Sequence, residues 1–171
     1  MPQLVFALQT DNDIYGKALN PYDISRVCGG SSGGDAALVA TRCVPLSIGT
    51  DIGGSIRVPS AFNGIYGFKP TANRVSYKGC ILPLPDGSAP QTKITASAGP
   101  MSNSVQGLKL ATEAILTESM FSKDVCVPPI PFNYGLYDRT LNAPKLRFGV
   151  LDEIHNITPS TSVKRAMNLV R

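Results

Sequence analysis

A single histidine, His155, and four cysteines without a CxxC pairing leave this sequence no recognisable zinc set. Cys28, Cys43, Cys80 and Cys126 are therefore expected as reduced, mostly buried thiols. No apolar run exceeds a handful of residues, against the ~20 that a membrane-spanning helix needs. Met1 to Leu8 is apolar, but it has no basic leader and is too short for a secretory signal, which points to a reducing, intracellular location. The net charge is +4, yet Arg26, Arg42, Arg57, Lys69, Arg74 and Lys78 are spread along the chain. With no basic stripe interleaved with aromatics, nucleic acid is not the expected partner. Internal repeats and low-complexity tracts are missing too.

What remains is the composition of a folded domain: 171 residues, 43% hydrophobic, mean hydropathy +0.04. The run Ala36 to Ala40 predicts a helix, with Asp35 in its first turn to complement the N-terminal dipole. Val44 to Ile48 reads as a short strand, Ser55 to Phe62 as a helical turn interrupted by Pro59, and Gly64 to Lys69 as a buried strand. Prolines and glycines from Ile81 to Pro100 predict an irregular surface loop. Helical spacing returns over Ser104 to Met120, through Val105, Leu108, Ala111, Thr112, Ile115 and Leu116, with Ser104 as N-cap. Val127 to Pro131 is expected as a linker or a segment wrapping the surface. Lys145 to Leu151 reads as a strand, and Ser160 to Arg171 as an amphipathic helix bearing Val163, Ala166, Met167 and Val170. Strands alternating with helices give an α/β class.

Two glycine-serine clusters carry the functional signal: Gly29-Gly30-Ser31-Ser32-Gly33-Gly34-Asp35 and Thr50-Asp51-Ile52-Gly53-Gly54-Ser55-Ile56-Arg57. Serines in backbone that glycine frees, with amides uncovered by side chains, suit attack on a carbonyl and capture of the oxyanion. Hydrolysis is the expected chemistry. A phosphate-cradling loop is disfavoured, because it needs Gly-Lys-Ser/Thr at its end and here Gly34 precedes the anionic Asp35. Gly29 to Gly33 also satisfies G-x-S-x-G and precedes a helix, so a nucleophile elbow with Ser31, His155 and either Asp138 or Asp152 stays open.

Both loops together, followed by Pro59-Ser60-Ala61-Phe62-Asn63-Gly64, Gly67-Phe68-Lys69-Pro70-Thr71 and Arg74-Val75-Ser76, resemble the amidase signature family. Gly99-Pro100-Met101 before a helix resembles it as well. Within the family, Ile52, the pair Asn20-Pro21 and the stretch Pro128-Pro129-Ile130-Pro131-Phe132 are similar to the fatty acid amide hydrolases. Asp35 stands where the family would have glutamate. The resemblance is strongest over residues 29–76, and implies part of the amidase signature fold, a mixed β-sheet core covered by helices.

What the resemblance implies is a serine-serine-lysine mechanism without metal or cofactor. Ser55 would be the acyl nucleophile and Ser31, after a cis peptide bond, the bridging serine that relays a proton to the leaving nitrogen. Ile52, Gly53, Gly54 and Ser55 would aim backbone N–H groups at the oxyanion. Ser32 would support the network, and Asp51 and Arg57 would position the loop. The lysine base would lie well upstream of Gly29, where this chain has only Lys17, in unmatched context; Lys69 is expected to be structural. Residues 1–171 are accordingly expected as a partial amidase domain, inactive alone, whose parent cleaves small-molecule carboxamides, fatty acid amides included. Val5 and Phe6 would line an acyl channel, or Phe6 would be core. Membrane association would rest on regions outside the chain. A glutamine or small-amide amidase, an amidotransferase subunit and a catalytically dead binding module stay open.

Overall fold

A computed structural model describes residues 1–3, 5–80, 94–151 and 157–170. It divides into two units, Met1–Phe132 and Asn133–Arg171.

In the first unit the chain opens with two small antiparallel ribbons. Strand β1 (Asp11–Asn12) pairs with β2 (Gly16–Lys17), and β3 (Leu19–Asn20) with β4 (Asp23–Val27). Composition around these short strands is too polar to announce them. Helix α1 (Gly33–Ala40) then starts directly on the first glycine loop, as the alanine-rich run predicts, with Asp35 in its first turn. Strand β5 (Leu46–Asp51) begins and ends later than the expected Val44 to Ile48, leaving Val44 and Pro45 outside it, and runs into the second glycine loop. Helix α2 (Arg57–Asn63) is not interrupted by Pro59, which occupies the first turn, where a backbone N–H has no intrahelical partner to lose.

The central sheet has the order β5-β7-β6, with both pairings antiparallel: β6 is Tyr66–Gly67 and β7 is Ser97–Ser102. Strand β7 overturns the expected loop up to Pro100; residues 81–93 of that stretch lie outside the described residues. All six residues of β7 are buried, and their small size suits a strand pressed between neighbours on both sides. Pro100 lacks an N–H for the ladder but still accepts from Phe68 N at 2.9 Å. Helix α3 (Val105–Ile115) has Ser104 as its N-cap, the side chain accepting from Gly107 N, and a separate helix α4 (Glu118–Lys123) follows. Ala36, Val39, Ala40, Ile56, Ile65 and Met101 form the core, with Val44 against it, so α1 and α2 are fastened to the sheet that carries the second glycine loop. Val127 to Pro131 wraps the unit, its Ile130 carbonyl accepting from Arg74 Nη1 at 2.8 Å.

The second unit holds α5 (Tyr134–Leu141), capped by Asn133, and α6 (Thr161–Val170). The strand expected over Lys145 to Leu151 does not form: the segment is exposed and pairs with no strand among the described residues. Of the cysteines only Cys28 is buried; Cys43, Cys80 and Cys126 lie in turns outside the core and are exposed, and all four are free.

Candidate active site

The first glycine loop joins β4 to α1, and the second joins β5 to α2. Ser32 holds them together. It stands at the N-cap position of α1 but makes no side-chain cap. Its backbone N–H donates to Ser55 O at 3.2 Å, while its Oγ accepts from Thr50 N at 3.2 Å and reaches Thr50 O at 3.4 Å. Ser31, Ser32 and Ser55 are all buried, whereas Ile52 is half-buried and Gly53 exposed, so the second loop turns an open face to solvent just before Ser55. The Gly30–Ser31 peptide bond is cis. Gly54 has φ +128°, a backbone region that only glycine enters readily, and this bends the chain around the Asp51 carboxylate.

Asp51 organises that bend. Its fully buried side chain accepts Gly54 N at 2.8 Å, Ile56 N at 3.0 Å and Arg57 N at 3.2 Å. Arg57 closes a two-pronged ion pair on it, Nε to Oδ2 at 3.0 Å and Nη2 to Oδ1 at 2.9 Å. Burial by itself would raise the carboxyl pKa. The guanidinium and the backbone N–H groups overcome this and hold Asp51 well below the usual carboxylate range. The same hydrogen bond raises the Arg57 pKa. A carboxylate ionised at neutral pH, with hydrogen bonds to both oxygens, is thus built into the loop that presents Ser55.

The Amidase family profile matches residues 1–171. The chain belongs to the Amidase family. It is 42% identical over 167 residues to fatty-acid amide hydrolase 1 of Sus scrofa, covering 98% of this chain and 28% of that protein. An acetamidase of Aspergillus oryzae is 34% identical over 174 residues, covering 100% of this chain and 31% of the relative. A solved fatty acid amide hydrolase structure superposes with TM-score 0.72 at 35% identity, over 78% of this chain and 23% of that one. The chain thus spans about a third or less of the length of these amidases.

In this amidase-family chain the remaining expected residues are placed as follows. Lys17 is exposed on β2, and Lys69 Nζ donates to Pro70 O at 2.9 Å. Among the described residues no hydrogen bond joins a lysine to Ser31, Ser32 or Ser55. Val5 is half-buried with φ +52°, and Phe6 is 67% exposed, which removes it from the core. His155 and Asp152 lie outside the described residues, and Asp138 belongs to α5 in the second unit.

Two residues with no signal in the sequence reading touch the first loop. Asn63 Nδ2 donates to Cys28 O and Pro59 O, both at 2.7 Å, tying the end of α2 to the residue before the loop. Thr10 Oγ1 bonds the loop backbone at Gly29 and Gly33. Asn63 lies within the Pro59 to Gly64 stretch, but a contact made 35 residues away leaves no mark there. Thr10 lies far upstream in a stretch with no chemical pattern.

Proposed function

We propose that the protein containing this chain is a serine amidase that cleaves carboxamide C–N bonds through an acyl-enzyme on Ser55, with fatty acid amides as the substrate class. The observation that carries this reading is the clasp of Ser32 on Ser55 and Thr50, which brings both serine loops into one buried place beside an open stretch of backbone.

In this reading Ser55 Oγ attacks the carbonyl carbon while Ser31 receives its proton and passes one to the departing nitrogen, since an amide anion is too basic to leave unprotonated. In this reading the N–H groups of Ile52, Gly53, Gly54 and Ser55 surround the oxyanion, that of Gly54 having to turn from Asp51 Oδ1, to which it donates at 2.8 Å. Water then attacks the acyl-Ser55 ester, and the proton returns by the same route. Asp51 and Arg57 hold the loop, and Ser32 joins it to Ser31. We assign the lysine base to the part of the relatives' length that residues 1–171 do not span, so the isolated chain would be inactive.

The substrate class rests on the likeness to fatty-acid amide hydrolase 1, with Val5 and Phe6 at the acyl side. The acetamidase relative supports a second reading, a small-amide amidase. Turnover of primary amides of increasing acyl length separates the two: kcat/KM rising with chain length supports the fatty amide class, and a fall beyond short acids supports the other. For the chemistry, Ser55→Ala should abolish fluorophosphonate labelling, Ser31→Ala should weaken it severely, and His155→Ala should leave it intact. Labelling lost with His155→Ala and kept with Ser55→Ala would instead establish the Ser31 elbow.

A further inference from the structure

We infer that Thr10 is a positioning residue for Ser31: its hydroxyl, supplied from outside the first glycine loop, sets the curvature of that loop and with it the direction of the bridging serine. The inference rests on the amidase reading above and adds a residue to it. Thr10 is 3% exposed, and its single O–H has a definite use. It donates to Gly29 O at 2.9 Å, with Ser31 O on the same side at 3.4 Å, and it accepts Gly33 N–H at 3.1 Å. Two backbone groups that bracket Ser31, and the carbonyl of Ser31 itself, thus converge on one oxygen. That oxygen belongs to a residue anchored elsewhere, because Thr10 O accepts Ala18 N at 2.9 Å.

The neighbouring chain reinforces this placement. A Cβ on Gly30 would stand 2.7 Å from both Ala7 O and Gln9 N, so glycine there lets the segment before Thr10 lie directly on the loop. The Thr10 hydroxyl is what registers one segment against the other. Replacing it by a methyl group of equal size keeps the volume, leaves Gly33 N without its acceptor and leaves Gly29 O only the 3.6 Å contact from Cys28 Sγ. Ser31 then loses its fixed direction.

A bridging serine matters most when the leaving group must be protonated. A misaligned Ser31 should therefore slow amide cleavage more than cleavage of an ester, whose phenolate departs unaided. The test uses the full-length protein with acyl p-nitroanilides from acetyl to lauroyl, and the matching p-nitrophenyl esters. Thr10→Val should lower kcat on the anilide about 10²-fold, the scale of a catalytic group displaced by an ångström, with KM changing far less than kcat and a much smaller loss on the ester. Thr10→Ser should restore most of the anilide rate. Thr10→Cys, with similar volume and a weak donor, should fall between, and it replaces the valine variant if that does not fold. Native rates in Thr10→Val, equal losses on anilide and ester, or a serine variant as slow as valine would overturn the inference. Anilide turnover that survives Ser55→Ala would overturn the amidase reading and the Thr10 inference together, a pattern distinct from Thr10 variants at native rate in a Ser55-dependent enzyme.

Discussion

At the scale of single residues, Asp51 is the group on which the second loop depends. Its ion pair with Arg57 and the full strength of its hydrogen bonds require it ionised, and its folded pKa lies below the unfolded value of about 3.9. A depressed carboxyl pKa contributes stability that is fully present above the unfolded pKa and is lost as pH falls through the folded one. Unfolding midpoints measured against pH should therefore hold steady down to about pH 4 and fall below it, and Asp51→Asn should remove that part of the acid limb. Removing the Asp51 carboxylate leaves the N–H groups of Gly54, Ile56 and Arg57 without their acceptor, and a buried polar group left unpaired typically costs about 1–3 kcal/mol. Urea unfolding of Asp51→Ala should show a loss of that order, and a loss near zero would contradict the role given to this residue. Arg57 is half-exposed, so Arg57→Ala should cost less, because water reaches the carboxylate where the guanidinium stood.

At the scale of elements, helices with strong local signals were legible and elements defined by their neighbours were not. The alanine run of α1 and the spacing of α3 carried their own instructions, down to the Ser104 cap, whose Oγ accepts Gly107 N at 3.0 Å. Ser104→Ala should cost about 1 kcal/mol in denaturant unfolding, a prediction that needs only local geometry. Strand β7 reads as loop because Ser97, Gly99, Pro100 and Ser102 are turn formers by propensity. They become a strand because β5 and β6 flank them on both sides, and that pressure is invisible in sequence. Conversely, alternation of Leu146, Phe148 and Val150 reads as a strand over Lys145 to Leu151, yet no partner strand is present among the described residues. The two serine loops were legible because glycine patterns are local. The hydroxyl of Thr10 and the amide of Asn63 were not, since both act across the fold.

At the scale of the whole molecule, the chain exposes large apolar side chains that a self-contained enzyme would cover, among them Tyr22, Ile24, Phe62 and Tyr66 in the first unit and Phe148 in the second. Strands β5 and β6 each have an outer edge without a partner strand among the described residues. Unpaired edges and exposed apolar surface favour self-association. Residues 1–171 expressed alone should therefore bind a hydrophobic dye and run as a polydisperse species in light scattering, whereas the full-length protein should not. The claim that the two glycine loops form one acylation site is tested most directly by treating the full-length protein with a fluorophosphonate and mapping the adduct by mass spectrometry. A single phosphonylated residue, Ser55, is expected, with no adduct on residues 1–171 expressed alone. An adduct on Ser31 in its place, or none on the full-length protein, would contradict it.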